Sequence, residues 1–505
     1  MARYKDYDYA QGKFIPLQFD KQILAGTFEH TLHYLIDNEL DLTAFDDRYR
    51  NDATGAPAYD PAILLKIVLF AYSRGITSSR KIAQCCQENV VFMALSADTR
   101  PHFTTIADFI SSADEEVIRL FLEVLLTCDS MGLIGKEMFA IDGCKMPSNA
   151  SKEWSGTKEE LRNKQRKMEK AVRRIMGRHR EIDKKEKDRG IIEQEEKYVT
   201  TMREKIKKIK TWLRENDDKP GKTGKPLKSN ITDNESAKMK TSHGVIQGYN
   251  GVAVVDDKHQ VIVHAEAFGA GQEHDVLRPM IEGTRENFEE LGEEDIFEET
   301  KLVADSGYHT EENMKMVMTE GIDAYIADTQ FRKRDPRFAE VARYKEPRLN
   351  LFRPGKDFRI SEDKSCCVCP AGKRLYRNGG NVKVKGMTAI KFRGRKTDCR
   401  VCDLRKKCIR SEKAEERQVY FFQGYDGPEP ETFTAKMKRK IDSIKGGLLY
   451  SRRLAIAEPP FAHIRSMMRL DRFTLRGKRK VNTQWLLYCI THNIKKVHRY
   501  GEVVV

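Results

Sequence analysis

The chain contains no long hydrophobic run. Its 505 residues include no stretch of about 18 consecutive apolar side chains, the length that a transmembrane helix requires. The segment from Met1 to Phe19 is polar and aromatic, and it lacks the apolar centre of a secretory signal. These absences predict a protein without membrane contact, in the cytoplasm, where disulfides are rare.

Cysteines are sparse outside one short segment. Six of the 11 cysteines fall between Cys366 and Cys408. In a reducing compartment such clustering indicates metal binding rather than disulfide formation. The remaining cysteines have no ligand spacing, and we expect them to be packed: Cys85, Cys86, Cys128, Cys144 and Cys489.

Charge is biased towards the positive sign. The chain has 91 lysines and arginines against 76 aspartates and glutamates, a formal net charge of +15. This excess favours a polyanionic partner such as nucleic acid, although many basic proteins have no such partner.

Several short helices are predicted between residues 55 and 135. Asp60 and Pro61 form a helix start signal, because Asp caps free amides and Pro suits the first helical position. Gly75 ends this first helix. The next is predicted from Arg80 to Gln87.

A further helix is predicted after the cap pair Thr104 and Thr105. Short helices with tight turns resemble a helix-turn-helix arrangement, in which Arg80 and Lys81 would meet DNA phosphates. The alternative is a helical bundle whose basic residues are only solvated.

The middle of the chain predicts a mixed sheet covered by helices. A short apolar strand ends on Asp142, and the charged tract that follows predicts one long helix or a hairpin of two, broken near Gly190. Further strands are predicted at 248–255, 261–267, 301–304 and 324–327, and helices at 274–284 and 311–319. A turn at Asp256-Asp257 predicts that the first two of these strands form a hairpin. A mostly helical segment from 431 to 493 is predicted to break at Gly446-Gly447 and to turn at Gly477.

Two aspartates stand where apolar strands stop. Asp142 follows one strand and Asp305 another, so both can project into a cleft at the edge of the sheet. Neighbouring carboxylates repel unless a cation intervenes, and oxygen ligands suit Mg²⁺ or Mn²⁺. Two such ions can activate attacking and leaving oxygens in phosphoryl transfer. The alternative is that each Asp only caps a turn.

The C-terminal part adds a third acid within a recognisable pattern. Tyr450 is followed by Arg453, Glu458 and Arg465, with two, four and six residues between them. This pattern resembles the DDE transposases of bacterial insertion sequences that carry a Tyr-Arg-Glu-Lys signature. The resemblance also takes in other segments of the chain: 59–61, 75–80, 142–143, 247–250, 253–256 and 304–308.

The resemblance implies a ribonuclease H-like core in which Asp142, Asp305 and Glu458 bind two Mg²⁺ or Mn²⁺ ions. It also implies that Tyr450, Arg453 and Arg465 surround the cleaved phosphate or the terminal bases. The gap between Arg453 and Glu458 is one residue longer than the usual signature. Arg465 replaces the usual Lys, which retains a phosphate contact with altered geometry.

The cysteine segment predicts a structural zinc site. Four thiolates are needed, and the spacing favours Cys369, Cys399, Cys402 and Cys408, with Cys366 as an alternative to one of them. Similar transposases carry Cys-Pro-x-Gly, then Cys-x2-Cys and another Cys, in this region. The alternative is a set of free reduced cysteines.

These patterns predict an α/β fold, with a ribonuclease H-like mixed sheet, an N-terminal all-α DNA-binding domain and a small zinc-binding insertion. The catalytic core is predicted to be split, and its first part to hold a charged helical insertion at 151–224. The expected regions, in chain order, are 1–135, 136–345, 346–425 and 426–505.

The predicted function is transposition of an insertion sequence in the bacterial cytoplasm, at the nucleoid. The protein would bind terminal inverted repeats and target DNA, both double-stranded, and by resemblance would act as a homodimer on DNA. Two alternatives stay open: a ribonuclease H-like nuclease without strand transfer, and a zinc-stabilised DNA-binding regulator without catalysis.

Overall fold

The chain forms two compact units in a computed structural model. The first comprises Met1–Ile326 and Leu448–Val505, and the second Ala327–Gly447. Among the helices that the structure describes, none combines the length and the apolarity needed to cross a membrane. The described residues are 16–49, 57–182, 189–221, 224–242, 244–341, 352–384, 387–411, 413–422 and 431–501.

Short helices precede the sheet of the first unit. The Asp60 side chain accepts a hydrogen bond of 2.8 Å from the Ala62 amide, so the predicted cap is confirmed. The predicted start of the fifth of these helices at Thr104-Thr105 is wrong, because the ring of His102 caps that helix instead. The helices are α1 (Phe28–Tyr34), α2 (Pro61–Ser73), α3 (Ser79–Glu88), α4 (Val90–Leu95), α5 (Phe103–Ser112) and α6 (Asp114–Ser130).

The first strand is followed by a helical insertion. Strand β1 (Met138–Pro147) leads to β2 (Ser155–Gly156), α7 (Lys158–Ile182), α8 (Arg189–Glu215) and β3 (Ser229–Asn230). The two long helices pack through apolar side chains such as Val172 and Val199, which confirms a hairpin. Gly190 is the second residue of α8, and the segment 183–188 before this helix lies outside the described residues.

The remaining strands complete a mixed sheet. The strands are β4 (Ala237–Thr241), β5 (Gly244–Asp256), β6 (Ile262–Phe268), β7 (Lys301–Ala304) and β8 (Ala324–Ile326). Helix α9 (Leu277–Glu290) precedes β7, and helix α10 (Glu311–Thr319) precedes β8. The central order is β6–β5–β1–β7–β8. Strand β5 is antiparallel to β1 and β6, whereas β1, β7 and β8 run parallel. The predicted mixed α/β fold is confirmed at this level.

The second unit contains its own sheet around a small apolar core that includes Cys367 and Phe392. Its strand order is β12–β13–β11–β10–β9, and β14 pairs with β13. In chain order its elements are α11 (Pro354–Asp357), β9 (Arg359–Ile360), β10 (Cys366–Val368), β11 (Arg374–Arg377), β12 (Val382–Val384), β13 (Met387–Arg393), α12 (Lys396–Arg400), α13 (Arg405–Cys408), β14 (Gln418–Phe422) and α14 (Phe433–Ile441).

Two C-terminal helices follow, α15 (Ile444–Ala462) and α16 (Lys478–Tyr500). The predicted break at Gly446-Gly447 is wrong, because the Ser443 hydroxyl accepts a bond of 3.0 Å from the Gly446 amide and starts α15 before it. The predicted turn at Gly477 is confirmed, with φ +86°. Trp485 of α16 is fully buried, and its indole donates to the Val252 carbonyl of β5 at 3.1 Å. This helix therefore closes the core of the first unit.

Candidate active site

Asp142 lies inside a strand rather than at its end. Strand β1 continues to Pro147, with Asp142 opposite Ala253 of the long strand β5. The expectation that the strand stops at Asp142 is therefore wrong, because β5 supplies pairing partners beyond it. The parallel ladder with β7 does stop there, since its last pair is Ile141 with Ala304. Asp142 is thus the first residue of β1 after its pairing with β7 ends.

Asp305 follows β7 directly and precedes a tight turn, Ser306–Tyr308. Because β1 and β7 are parallel and in register, each acid comes one position after the last paired residue of its strand. Neighbouring parallel strands lie about 4.8 Å apart. The sheet therefore brings together two acids that are far apart in the sequence, as the sequence predicts.

Arg453 of α15 forms ion pairs with both aspartates. Its Nη1 is 2.6 Å from Asp142 Oδ2, and its Nη2 is 3.7 Å from Asp305 Oδ1. The residue is only 8% exposed, so its guanidinium is largely removed from water. The structure thus places a buried positive charge between the two acids.

Burial and charge oppose each other at this site. Burial raises the pKa of Asp142, and the charge of Asp305 adds to the rise, while Arg453 counteracts it. For Arg453, burial lowers the pKa, but the two acids outweigh burial and raise it above its ordinary value. The arginine therefore stays charged and compensates a pair of carboxylates that would otherwise repel.

Glu458 and Arg465 meet Asp142 across a cleft of about 720 Å³. Both are exposed, Glu458 on α15 and Arg465 in the π-helical turn His463–Met467 that extends it. Asp305 is connected to Asp142 through Arg453 rather than through this cleft. Asp142 is therefore connected to Asp305 through Arg453, and it faces Glu458 across the cleft.

Cys144, two residues after Asp142, also lines the cleft. Burial raises the pKa of its thiol, and the side chain of Arg465 counteracts the rise. The prediction that Cys144 is packed is wrong, since it is only partly buried. Alternation along β1 gives the reason: side chains two apart in a strand share one face, so Cys144 shares that of Asp142.

The other predicted DNA contacts lie in different places. Tyr450 is partly buried on α15, one turn before Arg453. Arg80 and Lys81 are at the exposed start of α3, where Arg80 lies over the ring of Phe103 at 4.8 Å. Neither of these two residues lines the acidic cleft.

The chosen cysteines share one cavity in the second unit. Cys369, Cys399, Cys402 and Cys408 line a space of about 30 Å³. Burial raises the pKa of Cys408 to about 11, and the neighbouring thiols contribute to the rise. Cys366 instead accepts a contact of 3.3 Å from Arg374, whose side chain lowers the pKa of that thiol.

The donor chemistry of both clusters suits metal ions, but neither cluster has the geometry of a finished site. Carboxylate oxygens match hard divalent cations, and thiolates match zinc. Across the described ranges, no three Asp, Glu, His or Cys side chains are arranged to hold one ion. In the acidic cluster, the guanidinium of Arg453 lies between two of the acids.

Two regions of the chain match known protein families. Residues 368–498 match the family model described as Transposase DDE domain, and residues 17–112 match the Transposase domain (DUF772). The first region contains Glu458 and the four cysteines that share the cavity, and the second contains Arg80 and Lys81. No curated protein matches the chain. The two matches support a DDE transposase.

Proposed function

We propose that the protein is the transposase of an insertion sequence, with Asp142, Asp305 and Glu458 as its catalytic acids. It binds the terminal inverted repeats of its element, cleaves the DNA strands and joins them to target DNA. The main support is the placement of Asp142 and Asp305 after paired positions of adjacent parallel strands, in a chain with two transposase-family matches. The strand order suits a ribonuclease H-like core.

The three acids would hold two Mg²⁺ or Mn²⁺ ions. These ions, when bound, orient the attacking oxygen and stabilise the leaving oxygen of a phosphodiester. The donor set fits, because the acids offer only hard oxygen ligands and the pKa of Asp142 is raised by burial and by Asp305. Arg453 supplies the compensating charge within the protein itself.

The basic residues of the cleft would bind the DNA backbone. Arg465 is exposed beside Asp142 and can pair with a phosphate through two parallel hydrogen bonds. Arg453 and Tyr450 lie on the same helix as Glu458, and we assign them to the phosphate or the terminal bases next to the cut. Arg80 and Lys81 would contact phosphates of the terminal repeats, in an N-terminal DNA-binding domain at 1–135.

The cysteines would form a structural zinc site in the insertion at 346–425. Cys369, Cys399, Cys402 and Cys408 share one cavity, whereas Cys366 contacts Arg374. A site closed by four thiolates leaves no open position for catalysis, so this ion would stabilise the fold. The remaining proposed regions, 136–345 and 426–505, form the catalytic core, and the working form is a homodimer on DNA in the bacterial cytoplasm.

The test is cleavage and joining of labelled DNA that carries the ends of the element, with Mg²⁺ or Mn²⁺. Wild type is compared with Asp142→Ala, Asp305→Ala and Glu458→Ala, and Glu282→Ala, at an exposed position of α9, serves as a control outside the proposed triad. We expect wild type and the control to cut and join. Each triad variant should bind the DNA and do neither.

Other outcomes assign the protein differently. Full activity in one triad variant would show that this acid is misassigned. Cutting without joining would identify a nuclease without strand transfer. Binding of DNA and metal without any cutting by wild type would identify a DNA-binding regulator.

A further inference from the structure

An ion pair links the strand of Asp142 to the short turn that follows β6. Lys145 lies three positions beyond Asp142 in β1, and its Nζ is 2.8 Å from Glu273 Oε1. Glu273 begins a short turn, Glu273–Asp275, that follows β6. Both side chains are largely shielded, being 25% and 19% exposed. Such shielding makes the pair stronger than an ordinary surface ion pair.

The second carboxylate oxygen of Glu273 lies against Gly307. A β-carbon at position 307 would overlap with Glu273 Oε2, so no side chain fits there while Glu273 keeps its position. The φ angle of Gly307 is outside the left-handed region, so its backbone conformation does not itself require glycine. The close approach of Glu273 therefore accounts for glycine two residues after Asp305.

A second contact ties the same two turns together. The Asn313 side-chain amide donates to the carbonyl of His274 and to the carbonyl of Tyr308, both at 2.9 Å. Tyr308 is fully buried, and its hydroxyl has no hydrogen-bond partner among the described residues. The turn after Asp305 is thus held by buried contacts on several sides, and Glu273 provides the charged one.

We infer that Glu273, held by Lys145, is a positioning residue that fixes Asp305 relative to Asp142. The inference rests on the proposed function, in which these two acids share metal ions. Glu273 acts through the turn at Gly307 and does not touch the reacting groups. Its removal should loosen the turn and weaken metal binding, while the DNA-binding surfaces stay intact.

The first test compares Glu273→Gln with Glu266→Gln. Glu266 forms an ion pair of 2.7 Å with Lys478, elsewhere in the first unit, and serves as the matched control. In Glu273→Gln we expect faster hydrogen exchange in residues 305–310. We also expect the Mn²⁺ concentration for half-maximal binding to the DNA-free protein to rise about 10-fold or more, the scale of second-layer contacts at metal sites.

The control variant should leave the exchange of residues 305–310 and Mn²⁺ binding at wild-type values. Equal behaviour of the two variants in exchange would overturn the inference, whatever the activity of the protein. By contrast, a wild-type protein that binds Mn²⁺ and DNA but never cleaves would remove the proposed function. Failure of the inference and of the proposed function are therefore distinguishable.

A second test uses the steric contact at Gly307. Gly307→Ala should displace Glu273 and reduce cleavage by about 10-fold or more. The double variant Gly307→Ala with Glu273→Ala has no clash, because the Glu273 carboxylate is absent. Its loss of cleavage activity should therefore equal the loss in Glu273→Ala alone, rather than the product of the losses in the two single variants. If the two losses multiply, Gly307 acts independently of Glu273 and the inference is wrong.

Discussion

The two candidate metal-binding clusters are built in opposite ways. The acidic cluster in the first unit draws Asp142, Asp305 and Arg453 from three distant segments, joined by a sheet and one helix. The cysteine cluster in the second unit gathers its thiols from about 40 consecutive positions around a small cavity. The acids form ion pairs with one buried arginine, whereas the thiols surround a cavity that is also lined by arginines such as Arg405 and Arg417.

This difference indicates what each cluster needs from a metal. A large core holds the acids, and Arg453 compensates them, so the first unit should fold without divalent ions. The apolar core of the second unit is small, and small modules commonly depend on a metal for their stability. We therefore expect metal to serve chemistry in the first unit and folding in the second.

The largest expected effect is loss of zinc from the second unit. Cys402→Ser and Cys408→Ser should each abolish zinc binding and unfold this unit, because structural zinc sites contribute folding energy directly. Metal content by mass spectrometry and limited proteolysis between residues 352 and 422 measure the effect. Variants that keep a protease-resistant unit would show that its fold does not depend on zinc.

Any effect of acid on stability that depends on histidine should be confined to the first unit, because no histidine occurs between residues 327 and 447. His463 and His492 are in contact, with Nδ1 atoms 2.9 Å apart. Burial is the main cause that lowers the pKa of His463 to about 4 and of His492 to about 3. Both are therefore neutral in the folded protein at pH 7.

The sign of the pH effect follows from these lowered values. Unfolded histidines titrate near pH 6.5, so stability is full above that pH and falls as the pH drops towards 4. Each histidine can contribute up to about 1.4 kcal/mol per pH unit in this window. Urea unfolding between pH 7 and pH 5 measures how steeply the free energy of unfolding falls with pH. We expect this fall to be smaller in His463→Gln than in wild type. An equal fall would contradict a neutral, buried His463 in the folded protein.

Removal of Arg453 should have a moderate effect on stability. Breaking a fully buried ion pair costs roughly 3–5 kcal/mol, and the partial exposure of Asp142 reduces the cost to about 2 kcal/mol. Arg453→Gln should therefore lower the free energy of unfolding in EDTA, and Mg²⁺ should reverse part of the loss. Arg465 lines the cleft beside Asp142 and is exposed, so Arg465→Gln is the control and should change the free energy of unfolding little. Equal stability of both variants would mean that Arg453 does not compensate the acids.

The smallest effect is expected for Cys366→Ser. This thiol contacts Arg374 rather than the cavity of the other cysteines, so zinc content and stability should stay near wild type. Metal analysis alongside Cys402→Ser provides the measurement. Loss of zinc in Cys366→Ser would instead make it a ligand in place of Cys369.

Elements with strong local signals could be predicted from the sequence. Strand Lys301–Ala304 and helix Glu311–Thr319 have the predicted bounds, because an apolar run and a Thr cap define them locally. The order of strands and helices around them was also predictable, as was the hairpin between β5 and β6. These features depend on near neighbours in the chain.

The wrong predictions depend on distant partners or on a competing cap. Asp142 lies within a strand because β5, about a hundred residues later, pairs beyond it. The start of α15 is set by Ser443, which overrides the usual effect of two glycines. Arg453 could be predicted only as a phosphate contact, since its ion pairs span segments that sequence patterns do not connect. Nothing in the sequence distinguishes Lys145 and Glu273 from other charged residues.

The position of α15 late in the chain affects when the acidic site can form during synthesis. Glu458 lies 316 positions after Asp142 (458 minus 142), so ribosomes need about 16–63 s between them at roughly 5–20 residues per second. From the synthesis of Asp305 until that of Arg453, the nascent chain has both aspartates but neither Glu458 nor Arg453. We therefore expect prematurely terminated chains to be unable to cut DNA, which would protect the host genome from incomplete copies of the protein.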